Sequence, residues 1–167
     1  MNRLMKTWRG LFKRMDPVIT GWMANHAISL IRVSLGVVFL WFGALKFFPG
    51  LSAAETLAGR TIEALTFGRV LPSLSLPVLA IWESLIGLGL LTKVAPRLML
   101  LLLYVDMLGT LTPLVLFPDE TFKVFPLIPT LEGQYIIKNL VLISASVVIG
   151  ATVRGGRIVA EPARKRG

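Results

Sequence analysis

The sequence predicts an all-α, polytopic membrane protein: a four-helix transmembrane bundle with an N-terminal amphipathic interfacial helix and a short helix on the outer surface. Three observations carry that expectation. Hydrophobic residues make up 54% of the 167-residue chain and charged residues only 16%, where soluble domains average about 45–50% and about 25%. Four apolar segments each reach the roughly 20 residues that a helix rising 1.5 Å per residue needs to cross a bilayer. Finally, 12 of the 18 Lys and Arg lie in the N-terminal arm, the 92–97 turn and the C-terminal tail, segments that fall on one side if every apolar segment crosses.

The arm, residues 1–26, opens with a basic amphipathic stretch. Wound as a helix, Leu4, Met5, Trp8, Leu11, Phe12 and Met15 share one arc, and Arg3, Lys6, Arg9, Lys13 and Arg14 lie opposite. That is the pattern of a helix lying in the headgroup plane, and Asp16-Pro17 is expected to break it. The apolar stretch that follows is too long, and lacks the nearby small-residue cleavage site, for a signal peptide. The four-span domain, 27–153, then begins with a span over 27–48 that ends at Pro49-Gly50. Ser52 and Glu55 have the spacing of a capping box. They start a short helix with an apolar stripe at Ala54, Leu57, Ala58, Ile62 and Leu65 that closes at Gly68. Too short to span, it is placed on the far membrane surface.

The second span, 71–91, has Pro72 in its first turn, a bend expected at Pro77, and Glu83 as its sole charge. A short turn with Lys93 and Arg97 leads to the third span, 98–117, which changes character at Asp106, Gly109, Thr110 and Pro113. Pro118, Pro126 and Pro129, with Phe122 and Phe125, predict a stiff irregular loop before the fourth span, 133–153. Residues 154–167 are a basic tail. The two loops on the other side hold three basic residues and five carboxylates, so the positive-inside rule places both termini in the cytoplasm.

Five ionisable residues fall inside the spans: Arg32, Lys46, Glu83, Asp106 and Lys138. A charge at mid-membrane costs roughly 2.5–3.5 kcal/mol and usually faces the protein and pairs. Arg32, Gly36, Phe39, Gly43 and Lys46 follow one another by four, three, four and three, so they share one helix face, and its glycines suit close packing. Ala80, Glu83 and Gly87 share a stripe on the second helix, and Asp106, Gly109 and Pro113 on the third. Gly36, Gly43, Gly87 and Gly109 are therefore the expected packing glycines. Counted from the cytoplasmic ends, Arg32 lies about 7 Å deep, Glu83 about 12 Å and Asp106 about 13 Å. The expected charge cluster is Arg32 with Glu83 and Asp106, either a structural ion group or a proton- or ligand-handling site. Lys46 and Lys138, near the outer ends, either line an outward-facing pocket or snorkel to the surface. His26, Trp22 and Trp41 suit a quinone headgroup, but aromatic residues at this depth more often serve as interface anchors.

The net charge of +9 would suit nucleic acid, but its distribution is that of membrane topology and of attraction to anionic lipid. With no cysteine and one histidine, thiol redox chemistry, disulfides and thiolate metal sites are excluded, and no metal site is expected.

At these residues the chain resembles the DoxX-like family of small inner-membrane proteins, and most nearly its reactive-chlorine-resistance branch. The similarity rests on Arg32 opening the first span, on FLWFGALKF with Gly43 and Lys46, on Glu83 followed by Gly87 and Gly89, and on EGQYIIKNLVLI with Lys138. It covers roughly residues 28–153. The resemblance implies a component of membrane redox or oxidative-stress systems in the inner membrane. Related families that use cysteine chemistry offer no mechanism here.

The reading drawn from this is a small accessory subunit, not an enzyme on its own, docked to other membrane-protein subunits or to itself within a larger redox or energy-converting complex. A quinone-interacting oxidoreductase subunit is the first alternative, quinone being the one cofactor considered. A small-anion or proton-coupled transporter is the second.

Overall fold

The computed structural model of the chain describes residues 2–52, 55–156 and 158, and of residues 2–14 the backbone alone. In chain order the elements are α1 (Asn2–Leu45), α2 (Glu55–Leu65), α3 (Pro72–Thr92), α4 (Pro96–Leu111), α5 (Pro113–Leu116), α6 (Pro118–Thr121), β1 (Phe122–Val124), β2 (Ile128–Pro129) and α7 (Leu131–Thr152). Among the described residues, four helical stretches are long and apolar enough to cross a membrane: Met15–Leu45, Pro72–Thr92, Pro96–Leu116 and Leu131–Thr152. The chain is an all-α membrane protein, with one small antiparallel hairpin.

The outward faces explain why water is the wrong solvent for it. Leu74, Val78, Ile81, Leu85 and Leu88 are all exposed along α3, and Leu98, Leu101, Val105 and Leu108 along α4. Steps of three and four place each set on a single stripe. A helix apolar on its packed side and its open side alike is a helix for lipid.

Two expectations about boundaries change. Asp16-Pro17 does not end a helix: α1 runs from Asn2 to Leu45 with Pro17 inside it. A proline removes one rung of the ladder, and the long flanking runs keep the helix going past the gap. The amphipathic side chains expected from Arg3 to Arg14 lie outside the described ones, as do Ala54 of the α2 stripe and, in the basic tail, Arg157 and residues 159–167. At its other end α1 stops at Leu45, and the chain tightens into i→i−3 bonds from Lys46 N to Gly43 O and from Phe47 N to Ala44 O. Lys46 thus stands on the first turn past the helix. In the third span, Pro113 has no N–H for the Gly109 carbonyl, which instead accepts from the Thr112 N–H and hydroxyl at 3.2 and 2.6 Å. The helix breaks there and restarts as α5.

At the start of the short helix the Glu55 carboxylate accepts from the Gly50 amide at 2.8 Å. The short helix ends at Leu65, with Gly68 at φ +77° and its N–H on the Glu63 carbonyl. The loop expected to be irregular contains α6 and the hairpin: Thr121, the last residue of α6, is buried, and the Thr130 hydroxyl caps α7 by accepting from Gly133 N at 3.1 Å.

The closest pair of helices is α1 with α3. A Cβ on Gly87 would strike the Leu40 amide and the Gly36 carbonyl, and one on Gly43 would lie 2.7 Å from Ser84 N. As positions on α1 rise, their partners on α3 fall, so the two run antiparallel. Leu35 and Phe39 of α1, Ile86 and Leu90 of α3, Leu100, Leu103 and Met107 of α4, and Ile149 of α7 form one buried cluster. Gly109 departs from the expectation. Nothing lies within 4 Å of a Cβ built there, because it borders a cavity and not a neighbouring helix.

Candidate functional site

That cavity, about 640 Å³, lies under α2 and between α3 and α4, with Ile136 of α7 and Lys46 closing it. Its wall is mostly apolar, with Lys46, Glu83, Asp106, Ser75, Thr61 and Thr110 as the polar groups. Pro113 turns the chain beside it. Gly59 lets α2 lie close to Pro72, 3.0 Å from where a Cβ would stand. Arg60 ties α2 down from outside, 2.6 Å from Glu120 and 4.8 Å over the Phe117 ring.

The expected charge cluster is rearranged. Lys46 Nζ donates to Glu83 Oε2 at 2.6 Å, with both side chains nearly buried at 12% and 11% exposure. Arg32 does not reach Glu83. Its guanidinium donates to the Leu90 and Leu91 carbonyls, two turns beyond Glu83 and about 11 Å further along α3. These carbonyls close the C-terminal end of α3, where the helix leaves acceptors unpaired and its dipole favours a cation. α1 runs on through residue 27 with no boundary there, so depth along it cannot be counted from that position. Register comes from the glycines: Gly43 meets Ser84 and Gly36 meets Gly87 and Leu91, which puts Lys46 level with Glu83.

Arg32→Leu is accordingly expected to cost about 1.5–3 kcal/mol, the worth of hydrogen bonds to a charged group. Glu83 stays paired in that variant. The check is unfolding in a mild detergent, where Arg32→Leu should lose less than Lys46→Met.

Asp106 does line the cavity with Glu83, but not with Arg32. It is 8% exposed, and among the described residues its Oδ2 has no hydrogen-bond partner. Ser75, at 4% exposure, presents a second unpartnered oxygen in the same wall. Lys46 pairs directly with Glu83, and among the described residues Asp106 has no ion pair of its own. Lys138 does not share a pocket with Lys46. It is exposed on α7, with Nζ 5.5 Å from the Tyr135 ring centroid. His26 and Trp22 stack on each other on an exposed face of α1, and Trp41 is exposed too; none of the three lines the cavity. Among the described residues there is no group of three His, Cys, Asp or Glu that could hold a metal ion.

Several wall residues escaped the sequence reading. Ser75 and Leu79 precede Glu83 by eight and four, so helical spacing alone could have found them. Trp82 carried no such signal. It lines the cavity while its indole N–H donates to the Leu102 carbonyl at 3.2 Å, bridging α3 and α4. Comparisons with family models, with curated proteins and with solved structures find no match for the chain.

Proposed function

We propose that the chain is a DoxX-like inner-membrane protein that serves as the ligand-holding small subunit of a membrane redox complex, with a quinone-type molecule in the cavity beside Lys46, Glu83 and Asp106. Its spans form a four-helix bundle with both termini in the cytoplasm, α2 covers the outer end, and the basic arm and tail meet anionic lipid. Asp106 carries the reading. A buried carboxyl oxygen with no hydrogen-bond partner among the described residues, as Asp106 Oδ2 is, lowers stability, and a group retained at that cost inside a membrane marks a working site. The Lys46 ammonium has N–H groups beyond the one on Glu83, suited to a quinone carbonyl, and Asp106 suits a quinol hydroxyl. This favours the quinone-interacting alternative, in its subunit form, over a subunit with no ligand of its own.

Asp106→Leu separates structure from function. Replacing an unpaired buried acid by an apolar side chain of similar size is expected to leave stability unchanged or raise it by about 1–2 kcal/mol. Lipid extracts of wild-type protein purified in mild detergent should carry a quinone at near one per chain, and those of Asp106→Leu should lose most of it. Equal amounts in both, or none in the wild type, would count against the reading.

A further inference from the structure

The wall of the cavity contains both deeply buried and exposed residues, and the two groups differ in chemistry. Its exposed members are Leu65, Leu74, Val78 and Val105, all apolar. Leu74 and Val78 belong to the outward stripe of α3 and Val105 to that of α4, so the opening is continuous with the faces that meet lipid. The buried end holds the opposite: Asp106 Oδ2 and Ser75 Oγ, each without a partner among the described residues. From this arrangement we infer that the cavity opens sideways into the bilayer and takes a hydroxyl-headed amphiphile, the hydroxyl donating to Asp106 and the chain leaving between α3 and α4 past Val78. This rests on the reading of the cavity as a ligand site and adds the entry route and the head.

Each part has a physical reason. A ligand that arrives through hydrocarbon must be neutral, because moving an ion through an apolar portal costs far more than moving a hydroxyl. The head must also donate to an ionised Asp106, whose oxygens only accept; a molecule without an N–H or O–H would leave that form unpaired. An apolar chain then replaces lipid at the portal, since Leu74, Val78 and Val105 offer it no polar partner.

The probes are a bromine-labelled dodecan-1-ol and its methyl ether, which share a chain and differ only in the donor. Trp8, Trp22 and Trp41 are changed to Phe, so that Trp82 alone reports, in the full chain reconstituted in lipid nanodiscs. The alcohol is expected to quench Trp82 saturably, with the ether at least about tenfold weaker. Asp106→Leu should bring the two within about twofold, and Val78→Phe, which narrows the portal, should slow the onset of quenching by the alcohol. In the unaltered chain a diazirine-bearing long-chain alcohol should label the 74–82 or 105–110 segments, a readout independent of the tryptophan variants. Equal binding of alcohol and ether overturns the head. Unchanged onset in Val78→Phe together with labelling elsewhere overturns the route. Because the probe is a plain alcohol, absence of quinone from the extracts overturns the redox reading alone.

Discussion

Lys46→Met is expected to be the most damaging single change in the chain, costing about 3–5 kcal/mol, because it leaves the Glu83 carboxylate buried without a counter-charge. Lys46 and Glu83 meet at 2.6 Å with little solvent on either side, so water cannot take over the lost interaction. The variant should give a small fraction of the wild-type folded peak in detergent gel filtration, with what remains melting well below wild type. Adding Glu83→Met should restore most of the loss, since an apolar pair of similar volume is often as stable as the ion pair it replaces. A purely snorkelling lysine would behave otherwise: its removal would be mild, and the second substitution would bring nothing back.

Gly87→Ile should come next. A Cβ at Gly87 runs into backbone atoms of α1, the Leu40 amide and the Gly36 carbonyl, and backbone cannot swing aside as a flexible side chain can. Overpacking typically costs about 1–3 kcal/mol, and the upper end is expected here because the helices must separate along the line that holds Lys46 level with Glu83. Even Gly87→Ala should lower the melting temperature. Gly109→Ala is the matched control: with nothing within 4 Å of its Cβ, it should melt as wild type does. Thermal melts of the three variants in one detergent check the set.

The membrane-spanning helices were legible because hydrophobic runs of that length leave few alternatives, and the shared face of Gly36, Phe39, Gly43 and Lys46 was legible because helical spacing is geometry. Pairing was not. Which cation meets Glu83 depends on the register between α1 and α3, and register is set by Gly43 on Ser84 and Gly36 on Gly87, contacts that spacing within one helix does not encode. Pro17 misled for a related reason: its local preference against helix is outweighed by the long helical runs around it. Asp106 and Glu83 could be named as inward-facing from their depth and short side chains. The cavity between them could not, because it exists only where α2 folds back over α3 and Pro113 interrupts the third span.

Lys46 is the group that neutralises Glu83 at the cavity wall. Two double-mutant cycles, Lys46 with Glu83 and Arg32 with Glu83, measured by SDS titration in mixed micelles, test that directly. The first should show a coupling of about 2 kcal/mol or more, and the second one within about 0.5 kcal/mol of zero. A strong Arg32–Glu83 coupling with none between Lys46 and Glu83 would contradict it.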